Sequence, residues 1–164
     1  MPPTMSSNAE KALSIFQKFI GKEDEASEWH TIDQPQINLF ADATLDRQFI
    51  HVDPEMAAKV SPYKTTIAHG FLTLSLIPFL GSSIKLADPA VYEGIMMGIN
   101  YGLDKVRFPA PVKVNSKVRA KRELISVELV APNTLQLKQK VTVEIEGEAK
   151  PGCVAETLSR LIYS

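Results

Sequence analysis

The amino-acid sequence predicts an α+β fold in which one antiparallel sheet wraps around a buried helix. Three observations carry this. Residues 71–80 are apolar nearly all round, the pattern of a helix buried on every side. Leu135, Leu137, Val141, Val143 and Ile145 alternate with polar neighbours, the period-2 mark of a strand with one wet face. Strand patterns fill the second half of the chain and helical spacing the first, so sheet packs on helix.

Each element follows in order. Residues 1–8 are expected to be a disordered tail, and 9–164 a single domain. Leu13, Phe16, Phe19 and Ile20 take helical spacing over 9–20, and Gly21 ends that helix. Residues 28–32 form a short candidate strand. Asp33 caps a second helix with Pro35 in its first turn and Ile37, Phe40 and Ala41 as its buried stripe. Residues 44–53 show little regular pattern and are expected to be loop. Asp53 and Pro54 start a short helix through Lys59, and 60–69 is again loop, with Ser61-Pro62 as a turn signal. Strands are expected over 95–108 and 153–163. In a third, Val118 and Ala120 share one parity and Ile125, Val127 and Leu129 the other, which places a bulge near Arg122. Gln139 alone breaks the inward series of the next strand, and Pro132-Asn133 turns the chain between the two.

Composition narrows the function classes. A net charge of -1 gives no global pull towards nucleic acid or anionic membrane. The run 71–80 is interrupted by Thr73, Ser75 and Pro78 and falls short of the ~20 residues that span a membrane. Cys153 is the sole cysteine, so no intrachain disulfide forms, which suits a reducing cytoplasm. The first residues lack a basic stretch followed by an apolar core, so no signal peptide is read.

Asp46 and His51 lie five residues apart after the second helix. A carboxylate and an imidazole can together hold and activate water, and histidine titrates near neutrality. Spacing alone is a weak signal and favours a turn or capping aspartate and a structural histidine. His69-Gly70 precedes the apolar helix, where free N–H groups suit a carbonyl oxygen that gains charge. Gly70 could instead only permit tight packing. Lys105 and Arg107 open a basic run to residue 122, a candidate for phosphate contacts or merely a solvated strand face. Asp46, His51, Asp53 and His69 show no i, i+4 pair of the zinc-site kind, so no metal is expected. His30 is read as a strand residue without a special role.

Residues 40–54 (FADATLDRQFIHVDP) and 67–75 (IAHGFLTLS) resemble the hydratase motif of the MaoC-like dehydratase family, (R)-specific enoyl-CoA hydratases of hotdog fold. Residues 100–111 (NYGLDKVRFPAP) and 150–156 (KPGCVAE) are similar to its nodulation protein N-like branch. The resemblance runs from about Glu28 to the C-terminus. It implies a hotdog homodimer acting on coenzyme A or acyl-carrier thioesters, with no cofactor beyond the coenzyme A of the substrate. It implies Asp46 and His51 as the catalytic pair and the Gly70 N–H as the holder of the thioester oxygen. Leu45 stands where the motif commonly has glycine, so its side chain is expected to alter the loop or narrow the acyl pocket. Thioester hydrolysis, or a non-catalytic acyl-binding partner subunit, are the alternatives on this fold.

Overall fold

The computed structural model describes residues 6–164, so most of the expected tail lies outside the described residues. Ser7 and Asn8 correct its boundary. The Ser7 hydroxyl accepts from Glu10 N–H while the Glu10 carboxylate accepts from Ser7 N–H, a reciprocal cap that starts α1 (Asn8–Phe16). A 3-10 turn over Gln17–Phe19 continues it. The buried face of α1 is Ala9 and Ala12, small residues that let it lie close to the sheet, whereas Ile20 is exposed.

Segment 21–27 then runs beside the sheet: Gly21, Asp24 and Ser27 donate to the carbonyls of Leu124, Arg122 and Ala120. Only His30–Thr31 of the expected strand is β1. The Asp33 carboxylate accepts from Gln36 N–H and begins α2 (Gln34–Thr44), which buries Ile37 and Ala41. The expected loop is not all loop. Phe49–Val52 winds into a helical turn, α3, which leads through Asp53 into α4 (Pro54–Val60). A four-residue turn buries too few apolar positions to show a period, which is why sequence spacing missed it.

The central helix departs from expectation in two ways. It breaks at Leu76 into α5 (Gly70–Ser75) and α6 (Ile77–Gly81), since Pro78 supplies no N–H to bond back across the junction. It is also not buried all round. Leu72, Thr73 and Leu80 face the core, while Phe71 is 68% exposed and Phe79 is exposed as well.

Four long strands follow: β2 (Ile95–Arg107), β3 (Lys117–Ala131), β4 (Thr134–Ile145) and β5 (Cys153–Tyr163). The sheet order is β1-β3-β4-β5-β2, antiparallel throughout. It curls around α5 and α6, the hotdog arrangement. The β4 alternation holds, with all five apolar positions buried. The β3 bulge expected near Arg122 is present, between Leu124 and Ser126. Arg122 keeps the inward parity of Val118, Ala120 and Leu124, so Val127 is buried after the bulge while Ile125 and Leu129 stay exposed.

Two apolar clusters result. One joins α2, α5 and α6 to the sheet through Ile37, Leu72, Leu80, Val118 and Val143. The other packs α1 on Leu124, Val127, Leu135, Leu137 and Tyr163. Among the described residues no helix is long and apolar enough to cross a membrane.

Candidate active site

Two short segments, 46–51 and 66–69, are stitched together at the start of α5. Ile67 N–H donates to the Ile50 carbonyl at 2.9 Å. Gln34 braces the joint from α2: its amide donates to the His51 carbonyl at 2.7 Å and accepts from the Thr66 hydroxyl at 2.5 Å. The result brings Asp46, His51 and His69 together, their functional atoms all within 4.8 Å of one another.

Hydrogen bonds decide where the imidazole protons sit. His51 Nδ1 lies 2.7 Å from the Ile67 carbonyl, which can only accept, so Nδ1 carries the proton and Nε2 keeps its lone pair. His69 Nε2 lies 2.9 Å from the Asp46 carbonyl and by the same reasoning donates to it. That leaves His69 Nδ1 buried without a partner. The two rings stack at 3.8 Å, and Phe40 packs on His69 at 4.9 Å. Burial, chiefly, holds His51 below its ordinary pKa. The Ile67 hydrogen bond opposes this, His69 adds to it, and the Asp46 carboxylate opposes it weakly. His51 is thus kept neutral, as a base must be.

Asp46 is exposed, whereas both histidines are buried. It is aimed by a helix ending: Leu45 closes α2 at φ 66°, the left-handed conformation, and Gln48 N–H reaches back to the Asp46 carboxylate at 3.4 Å. This explains why glycine suits position 45, since only glycine adopts that conformation without cost. It also corrects the expectation for the Leu45 side chain. At 71% exposed it points to solvent and does not narrow the site.

Gly70 begins α5, so its N–H has no intrahelical acceptor. A Cβ there would meet the Phe108 ring at 3.0 Å, so the residue also permits close packing. The packing reading of Gly70 is thus supported, and its N–H stays without an intrahelical partner. Lys105 and Arg107 lie outside the cluster, exposed at the end of β2 just before Phe108.

His69 is the residue that sequence reasoning undervalued. It was visible as the neighbour of Gly70, but its bond to the Asp46 carbonyl spans 23 residues and no local pattern encodes that. Asp53, grouped with the others as a possible ligand, instead caps α4 by accepting from Met56 N–H. The remaining trio does not fit a chelating metal centre. A metal bound by imidazole lies in the ring plane, and two stacked rings inclined by 22° share no nearby in-plane point. His30 Nε2 donates to Gln36 Oε1 at 2.9 Å and the ring packs on Phe79, apart from the cluster.

A cavity of about 750 Å³ is lined by none of Asp46, His51, His69 or Gly70. It lies further along the central helix, beginning at Leu74. Titratable groups converge instead in the histidine cluster.

The MaoC like domain family matches residues 15–146. The chain is 51% identical over 159 residues to 3-hydroxyacyl-thioester dehydratase Z of Mycobacterium tuberculosis, covering 97% of this chain and 98% of that protein. It is 47% identical over 150 residues to nodulation protein N of Rhizobium leguminosarum bv. viciae, covering 92% and 91%. Its fold superposes on the (R)-hydratase from A. caviae involved in PHA biosynthesis with a TM-score of 0.65 at 21% identity, over 85% of this chain and 94% of that one. The match over most of the chain, on a hotdog sheet with its Asp-His cluster at the start of the central helix, shows that this protein belongs to the MaoC-like dehydratase family.

Proposed function

We propose that the protein is an (R)-specific enoyl-thioester hydratase, adding water reversibly to a trans-2-enoyl group on coenzyme A or an acyl carrier. Family membership supports hydro-lyase chemistry in general. The observation that carries the finer reading is the free Nε2 lone pair of a neutral His51 beside the Asp46 carboxylate, next to the unpaired first N–H of α5.

In this reading the thioester carbonyl accepts from Gly70 N–H, which draws electron density from the β-carbon. His51 Nε2 removes a proton from a water held between it and Asp46, and the oxygen bonds to the β-carbon. The C=C pair takes up at the α-carbon the proton that His51 has received, passed on directly or through the Asp46 carboxylate and the water it orients, so both groups return to their starting state. His69 steadies the Asp46 backbone throughout. No cofactor enters beyond the coenzyme A of the substrate, and in this reading Lys105 and Arg107, exposed at the end of β2, contact its phosphates.

Asp46→Asn and His51→Ala should each lower crotonyl-CoA hydration by about 10²–10⁴-fold with unchanged circular dichroism. Full turnover in both variants would overturn the assignment. A second copy completes the protein in this reading. β2 is the outer strand of the sheet, and it exposes Met96, Met97, Ile99, Tyr101 and Leu103. An apolar sheet edge of that length is ordinarily covered. Light scattering should therefore give twice the 18.1 kDa chain mass.

A further inference from the structure

The cavity beside the central helix reaches the N-terminal segment of this chain. Leu74, Ile77 and Gly81 line one side of it, so it follows α5 and α6 away from Gly70. Phe16 and Phe19, from α1 and the turn after it, also line it. Asp24 and Arg122 line it as well, and they are joined to each other: Arg122 Nε donates to Asp24 Oδ2 at 2.5 Å, both side chains largely buried. Arg122 also marks the end of the path. Its guanidinium lies 3.5 Å from where a Cβ on Gly81, the last residue of α6, would sit.

The wall itself changes character at this level. The inward row of β4 is apolar except for Gln139, and that of β3 is apolar up to the bulge except for Arg122. Gln139 pairs across the sheet with Thr157, and all three line the cavity. Among the described residues a side chain engages Gln139 only at its backbone carbonyl, which accepts from Thr157 Oγ1 at 3.5 Å. An alkyl chain passing this row would strip water from polar groups and offer them nothing in return.

We propose that this cavity receives the acyl chain of the thioester and that the N-terminal segment, fastened by the Asp24–Arg122 pair, closes its far end and limits the acyl length. The proposal rests on the hydratase reading for the position of the thioester at Gly70. From Gly70 to Gly81 the helix rises about 16 Å at ~1.5 Å per residue. An extended chain covers roughly 3.5 Å per three bonds, so the path holds an acyl group on the order of a dozen carbons. Asp24 acts here as a positioning residue, and Phe16 and Phe19 form the stop.

The test compares hydration of trans-2-enoyl-CoAs of increasing length with calorimetric binding of the matching saturated acyl-CoAs. The proteins are the full-length wild type, Asp24→Ala and Phe16→Ala/Phe19→Ala. Wild type should show a hexadecenoyl-to-hexenoyl kcat/KM ratio below about one tenth, and both variants should raise that ratio at least about tenfold. A merely structural role for these residues would lower all lengths alike and leave the ratio where it was, which overturns the proposal. A wild-type ratio near one overturns it without any variant. Saturated chains that bind with the same length preference while no enoyl thioester is hydrated would sink the hydratase reading and leave the closure standing.

Discussion

Gly70→Ala separates the two roles of this glycine, because it fills space without removing the N–H. The new Cβ would lie 3.0 Å from two carbons of the Phe108 ring and 3.2 Å from a third. Relaxed carbon contacts lie at roughly 3.5–4.0 Å, so ring or helix must give by about 0.5–1 Å. Phe108 is partly exposed and can swing outward, but that breaks its edge-on contact with Phe71 at 6.0 Å. Overpacking of this kind costs about 1–3 kcal/mol. For a chain of this size that lowers the melting temperature by roughly 2–12 °C. If the ring holds and the helix start moves, the N–H is displaced by the same distance, and a shift near 1 Å costs about 10²-fold in rate. Thermal denaturation and crotonyl-CoA kinetics would be measured for Gly70→Ala, Phe108→Ala and the double variant. The two substitutions should couple by at least ~0.5 kcal/mol in stability, because removing the ring removes the clash. Strict additivity, or a Gly70→Ala protein as stable and active as wild type, would refute the close-packing argument.

Two further outcomes follow from the same geometry. Burial depresses the His51 pKa from its ordinary value of 6.5. The unfolded state therefore binds its proton first on acidification, and the His51 contribution to stability, complete above pH ~6.5, is lost as pH falls towards the lower folded value. Urea midpoints should show that slope in wild type and less of it in His51→Gln, and kcat/KM should hold up below pH 6.5 before falling. An identical pH slope in both proteins would remove the depressed histidine. Leu45→Gly should stabilise the protein by up to about 1 kcal/mol, the left-handed strain relieved outweighing the added flexibility of the unfolded chain. A clear loss of stability on urea denaturation would show that Leu45 makes contacts the exposed side chain does not display.

Patterns that repeat along the chain were legible in the sequence alone. The β4 alternation, the Asp33 and Asp53 caps and the Pro132-Asn133 turn each depend on neighbours within a few residues, and all are present. Asp46 and His51 stood out in the same way, as a short motif with company. What depends on distant segments was not legible. Parity placed the β3 bulge near Arg122, but its position between Leu124 and Ser126 follows from Arg122 being a polar residue that keeps an inward place. The exposure of Phe71 and Phe79 depends on which side of the central helix the sheet covers.

The sequence by itself determined the α+β class, the apolar helix and the residue types at the site, since these follow from local propensity and hydrophobic period. Only the tertiary structure decided the state of those residues. The His51 tautomer is set by the Ile67 carbonyl, the Asp46 backbone by His69, and the Leu45 side chain by a left-handed turn that aims it at solvent. Each of these depends on a hydrogen bond across many residues or on a backbone angle, and neither is written in the spacing of side chains.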